Sequence, residues 1–326
     1  MADEEKIELL SIKDLKDKVC SGEIMLPPIQ RGFVWKPYQI ENFWDAILRG
    51  FPVGCFIAKK RGNVIEILDG QQRLTSILLG LNFGNNDNFE FVKKILKIKE
   101  EMRIFLDLEK NTNYKSKDDN RKYNIRVITK SHPWGYQRKD NKKTLGVKDI
   151  EKQKEIIWKR CNIKEDKKGY FKNRDFFEKS FPFDAKCPIS LNDIFVDGYC
   201  FDNIKDKNSN IDFIDETAKD LRELVFDTKI PIMYIKDDEK TDNAEGLKQN
   251  DDVLDNDEYL FTLINRGGTR VSNNDLNYSL VKSKLLEKYK KNGRKIIEHI
   301  EKMAKNSNIS ASLFVLICYF WFETNK

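Results

Sequence analysis

The stretch Asn63 to Thr75 constrains this chain more than any other. Asn63 to Leu68 carries the apolar run of a short strand, and Asp69-Gly70 breaks it. A helix begins at once, with Leu74, Ile77, Leu78 and Leu81 on one face. A second strand, Val53 to Lys59, is joined to the first by a turn at Lys60-Arg61-Gly62. Ahead of it, Ile40, Phe43, Trp44, Ile47 and Leu48 form the apolar face of a helix. That helix opens at Pro37 and stops at Gly50. Helix, strand, strand, tight turn and helix within about 45 residues make α+β or α/β material, not a helical bundle.

The rest of the chain fits around this unit. Ser11 to Val19 reads as a short helix, with Ser11 and Asp14 as a capping box and Gly22 as its stop. Pro27-Pro28 forces an extended path into Ile29-Gln30-Arg31. Met102, Ile104, Leu106 and Leu108 alternate like a strand, as do Tyr123, Ile125 and Val127, with a polar loop from Asn111 to Asn120 between them. Val147 to Cys161 and Phe213 to Phe226 read as helices, Ile230 to Ile235 as a strand, and Asp237 to Asp257 as an acidic loop. From Glu258 the pattern is helical: one helix ends at Gly267-Gly268, Ser272 caps the next, and two more follow. The 326 residues allow two domains.

Charge is unevenly spread. The net +6 conceals residues 110–180, with 22 basic against 10 acidic side chains, and residues 201–258, with 8 against 18. The basic block suits either a solvated surface or a face turned to DNA. Arg supplies only 14 of the 59 basic residues, so each one invites inspection. Cys20, Cys55, Cys161, Cys187, Cys200 and Cys318 are scattered, with none at CxxC spacing, and only His132 and His299 could join them in a zinc site. The acidic N-terminus is no signal peptide, and the apolar run Leu313 to Phe322 is about half a membrane span. These features suit a soluble cytoplasmic protein with no membrane partner.

Four clusters carry chemistry-bearing residues. In Asp69-Gly70-Gln71-Gln72-Arg73 a helix starts on a glycine turn, where unpaired N–H groups and the helix dipole attract anions. Arg73 is a cation at the positive end of that dipole, a placement that a bound phosphate would explain. Asp69 could bind a sugar hydroxyl, a metal-bound water or a cation; equally, it could cap the helix and pair with Arg73. The second cluster is Gln30-Arg31-Gly32-Phe33-Val34-Trp35, and the third is Asn265-Arg266-Gly267-Gly268-Thr269-Arg270, either a helix stop or a phosphate-closing turn. The fourth, Ser131-His132-Pro133-Trp134-Gly135-Tyr136, is a structural turn or a lid. A GxxxxGK[ST] loop, a serine elbow and an HExxH motif are all missing.

Taken in order, IQRGFVW, ILDGQQRLTS, SHPWGY and INRGGTRVSNNDL resemble the N-terminal domain of GmrSD-type restriction endonucleases. The resemblance is densest over 7–82 and 258–282. It implies a ParB/sulfiredoxin-like α+β core over 1–257 with a large insertion at about 110–230. A C-terminal helical bundle region, 258–326, would then open a longer C-terminal part. It also implies a nucleotide-handling module of a restriction or antiphage system that hydrolyses a nucleoside triphosphate of GTP or ATP type with Mg²⁺. Carried over, Asp69, Gln72 and Arg73 are the catalytic candidates, with Asp69 the Mg²⁺ ligand. Gly70, Gln71, Thr75, Gln30, Arg31, Asn265 and Arg266 are the nucleotide-binding ones. Longer relatives add an HNH-type nuclease, so the implied partners are a nuclease domain or subunit and DNA met through 110–180. The alternative is a DNA-binding or nucleotide-sensing module without catalysis.

Overall fold

The computed structural model describes residues 7–26, 32–81, 98, 100–107, 122–137, 142–160, 174–185, 187–196, 211–235, 278, 281–282, 285, 289, 291–307 and 309–324. The chain is a mixed α+β protein that packs as two units. One comprises Met1–Ile24, Gly32–Phe56 and Gly70–Met233; the other comprises Met25–Arg31, Ile57–Asp69 and Tyr234–Lys326.

The first unit opens with strand β1 (Ile7–Ser11) running into helix α1 (Ile12–Ser21). The predicted capping box is present: the Asp14 amide donates to Ser11 Oγ at 3.0 Å and the Ser11 amide to Asp14 Oδ2 at 3.2 Å. Gly22, at φ 80°, closes the helix. A two-residue strand β2 (Ile24–Met25) follows, and helix α2 (Pro37–Leu48) starts on its proline as the sequence indicated.

Strand β3 (Phe56–Arg61) starts three residues later than the alternation suggests. Gly54 sits at φ 86° and the Val53 carbonyl is held by Arg73, so the chain stays irregular until Phe56. Strand β4 (Val64–Asp69) leads through Gly70 into helix α3 (Gln71–Gly80). Helices α2 and α3 come close: a Cβ on Gly80 would lie 2.2 Å from the Trp44 ring, and Trp44 Nε1 donates to Ser76 O at 2.9 Å. Ile40, Trp44, Ile47, Leu74, Ile77 and Leu78 fill the core between them.

Strands β5 (Met102–Asp107), β6 (Ile125–Thr129) and β7 (Pro188–Ser190) form an antiparallel sheet in the order β6-β5-β7. Helices α4 (Val147–Arg160), α5 (Arg174–Lys179), α6 (Leu191–Ile194) and α7 (Ile211–Asp227) follow, and strand β8 (Lys229–Ile235) pairs with β1, Leu9 facing Pro231. Helix α2 packs on β6 and supplies what that edge strand lacks. Glu41 Oε1 accepts the Val127 amide at 3.0 Å, and Asp45 Oδ1 accepts the amides of Lys122 and Tyr123 at 2.9 and 2.8 Å. Both carboxylates are buried, and Arg49 pairs with Asp45 at 3.3 Å.

In the second unit, β3 and β4 form an antiparallel hairpin with Lys60 opposite Ile65. Lys60 Nζ lies 4.4 Å from the Tyr234 ring centre, and Arg61 Nε meets Glu66 at 2.7 Å. Helices α8 (Lys291–Asn306) and α9 (Ala311–Thr324) pack on each other, and Glu301 accepts from Tyr278 and pairs with Lys282. The expected helices over Glu258–Asn265 and from Ser272, and the loops Asn111–Asn120 and Asp237–Asp257, fall wholly or mostly outside the described residues.

Candidate functional site

The turn into α3 needs its glycine. Gly70 has φ 99°, and a Cβ there would lie 2.3 Å from the Phe56 ring. Its carbonyl accepts the first helical bond, from the Leu74 amide at 2.8 Å. Asp69 is the half-buried last residue of β4, paired across the hairpin with Ile57. Gln71 and Arg73, in the first turn of α3, are half-exposed.

Gln72 is buried and its side-chain amide bonds three main-chain groups. Oε1 accepts the Val34 and Trp35 amides at 2.8 and 3.2 Å, and Nε2 donates to Gly32 O at 3.2 Å. This side chain therefore ties the segment ahead of α2 to the start of α3. Arg73 reaches the segment after α2: Nη1 donates to Val53 O at 3.2 Å, and the guanidinium sits 5.6 Å from the Phe56 ring centre. A Cβ on Gly54 would lie 2.3 Å from Arg73 Nη1, so only glycine admits the guanidinium there. The motif thus braces both loops flanking α2. Thr75 is completely buried, its Oγ1 without a hydrogen-bond partner among the described residues. Gln30, Arg31, Asn265 and Arg266 lie outside the described residues.

The Ser131–Tyr136 cluster is a turn sealing the end of β6. His132 and Thr129 exchange backbone hydrogen bonds, Gly135 adopts φ 74°, and Trp134 packs on Phe105, Ile128, Phe177 and Phe181. Ser131 Oγ lies 2.9 Å from His132 Nδ1, and the Tyr136 ring stacks on the imidazole at 4.9 Å. Burial pushes the Tyr136 phenol up.

Arginine is used in a way the sequence did not disclose. Arg103 donates to the carbonyls of Phe177, Glu178 and Ser180 at the end of α5, Arg126 to Tyr136 O at 2.9 Å, and Arg222 to Ile194 O at 2.8 Å. The planar fork holds main-chain carbonyls, a task for which Lys is poorly shaped. Glu41 and Asp45 also escaped sequence reasoning. The available signal was their i, i+4 spacing beside the apolar stripe of α2.

Among the described residues no three His, Cys, Asp or Glu side chains gather as a metal cage, and no helix is long and apolar enough to cross a membrane. Over 100 residues the chain is 31% identical to the uncharacterized protein MJ0686 of Methanocaldococcus jannaschii. That match covers 23% of this chain and 17% of the relative's length. Residues 12–286 match the N-terminal domain of the GmrSD restriction endonuclease. This match spans most of the chain and leads to one assignment: the chain belongs to the GmrSD restriction endonuclease N-terminal domain family.

Proposed function

We propose that the chain is a nucleotide-binding, NTP-hydrolysing module of a restriction system that acts against foreign DNA. Its β-rich part would be a ParB/sulfiredoxin-like core and its C-terminal helices part of a bundle. The observation that carries the reading is the left-handed Gly70 turn delivering a helix start with half-exposed Gln71 and Arg73 directly after Asp69. The first N–H groups of a helix carry about half a positive charge and suit phosphate oxygens.

Each residue then has a task. The main chain of Gly70 and Gln71 receives phosphate oxygens. Arg73 clamps them and offsets charge as the phosphoanhydride bond breaks. Asp69 holds the attacking water. Gln72 keeps Gly32–Trp35 in place beside the turn and is retained as a catalytic candidate; the resemblance adds Gln30 and Arg31 to the nucleotide-binding set. Thr75 packs beneath the turn. The resemblance adds Asn265 and Arg266 to the nucleotide-binding set. Mg²⁺ commonly keeps several waters and takes only one or two protein carboxylates besides substrate phosphates, so one carboxylate can serve an ion carried on the phosphates. Such an ion would neutralise phosphate charge; Asp69 would be its protein ligand. Cleavage of DNA falls to a nuclease domain or subunit.

The test is phosphate release from GTP and ATP by wild-type protein, Asp69→Ala and Arg73→Ala, with folding checked by circular dichroism. Both variants should stay folded and lose turnover. A second reading, DNA binding without catalysis, draws on the exposed Lys142, Lys143, Lys148, Lys152 and Lys159 around α4. Affinity for duplex DNA that falls steeply with salt and ignores Arg73→Ala would favour it.

A further inference from the structure

Strand β1 has β8 on one side and, among the described residues, no strand on the other. The pairing settles which of its main-chain groups face that open side. The Ile12 amide donates to Thr228 O at 3.0 Å, and opposite residues of an antiparallel ladder alternate between bonded and unbonded pairs. Leu10 with Ile230 and Glu8 with Ile232 are therefore the bonded pairs. Leu9 with Pro231 and Ile7 with Met233 are the unbonded ones, a position that suits Pro231, which has no N–H. The N–H and C=O groups of Ile7 and Leu9 thus point away from β8. Ser11 is already committed: its amide donates to Asp14 Oδ2 at 3.2 Å, and as N-cap its carbonyl starts α1.

The side chains at this edge are apolar and stand in solvent. Ile7 is 52% exposed, Leu9 62% and Met233, opposite Ile7, 42%. Leu9 also lines a groove of about 640 Å³ with Phe51, Leu224 and Pro231. Edge strands of soluble proteins are usually guarded by lysine, proline or a bulge. Strand β1 has none of these, and its one charge is Glu8.

We propose that the open edge of β1 takes up an extended peptide of another protein as an added antiparallel strand. That peptide is apolar at two alternate positions, with a basic residue between them. Main-chain bonds from Ile7 and Leu9 hold it. Its two apolar residues lie opposite Ile7 and Leu9 and extend the exposed apolar face, while the basic residue lies opposite Glu8. A second copy of β1 fits less well. Set antiparallel about Leu9, it puts Ile7 opposite a Ser11 whose main chain is held by the cap. Set about Glu8, it brings two carboxylates face to face, which is destabilising.

Fluorescence anisotropy of short dye-labelled peptides titrated with the full chain tests this. The probes share serine and threonine flanks and carry a valine-lysine-valine or a valine-glutamate-valine core. Wild-type protein should bind the lysine peptide about tenfold more tightly, and Glu8→Gln should bring the two within about twofold. Methylating the main-chain nitrogens of both valines should weaken binding about tenfold or more, whereas methylating that of the lysine, which points away from β1, should change it less than about twofold. Leu9→Pro removes an outward N–H without touching a bond to β8, and should weaken the lysine peptide about tenfold or more. Leu9→Lys leaves the main chain intact and guards the edge, so it should weaken the peptide as well should Leu9→Pro fail to fold. No binding of the lysine peptide by wild type overturns the proposal. So does equal affinity for the two cores, or equal loss on methylating valines and lysine. A dimer seen by sedimentation in wild type and lost in Leu9→Pro would give the edge to a second copy and overturn it too.

Discussion

Gln72 Oε1 accepts the Val34 amide at 2.8 Å across 38 residues of sequence. With the bonds to Trp35 and Gly32, one buried amide satisfies three main-chain groups. Gln72→Ala should therefore destabilise the fold by about 2–4 kcal/mol, since each orphaned buried group costs about 1–3 kcal/mol and some regain water. Gln72→Glu keeps the acceptor but loses the donor to Gly32, and should cost less than Gln72→Ala. Urea midpoints of the two variants check the order. Equal stability of Gln72→Ala and wild type would show that the brace is idle.

Glu41 and Val127 make the matching bond on the other side of α2. Glu41→Ala strands a buried amide on the edge of the β6-β5-β7 sheet and should cost about 1–3 kcal/mol. Glu41→Gln retains an acceptor oxygen and should recover part of that loss. Amide hydrogen exchange at Val127 gives a local readout: faster in Glu41→Ala, closer to wild type in Glu41→Gln.

The two glycines at the motif differ in what surrounds them. Gly70→Ala meets the Phe56 ring, which is buried and cannot swing aside. Gly54→Ala meets the far end of the flexible Arg73 side chain. Both also pay about 1–2 kcal/mol for a left-handed backbone with a Cβ. Thermal melting should rank Gly70→Ala as the less stable. The reverse order would mean that Arg73 is the more rigid neighbour.

Ser11 hydrogen bonds hold the Asp14 carboxyl below its ordinary value. The cap therefore stabilises α1 above the ordinary carboxylate range and is lost as pH falls through the lowered folded value. Ser11→Ala should cost about 1 kcal/mol at neutral pH. The gap between variant and wild type should narrow in acid, where Asp14 is protonated in both. A gap independent of pH would exclude the carboxylate from the cap.

Much of the local structure could be read from the sequence because it is set by neighbours. Ser11 and Asp14 lie three residues apart, Pro37 fixes its own φ, and Gly70 breaks a strand in place. Strand β1 is not legible in the sequence because its five residues carry no clean alternation, only the pairing of Leu9 with Pro231 more than 200 residues away in sequence. Arg73 stands out in the sequence as a cation at a helix start, but its bond to Val53 depends on a loop placed by α2. Glu41 and Asp45 look like solvent-facing acids on a helix until β6 is laid beside them. Their i, i+4 spacing marks one face of α2 but does not name the strand that covers it.

The central claim is that the turn at Gly70 serves phosphate chemistry through Arg73. Its most direct measurement is steady-state NTP hydrolysis by wild-type, Arg73→Ala and Arg73→Lys proteins at matched folded concentration. The account predicts turnover in wild type, a loss of about 100-fold or more in Arg73→Ala, and only partial recovery in Arg73→Lys, which restores charge without the fork. Undiminished turnover in folded Arg73→Ala protein would contradict it.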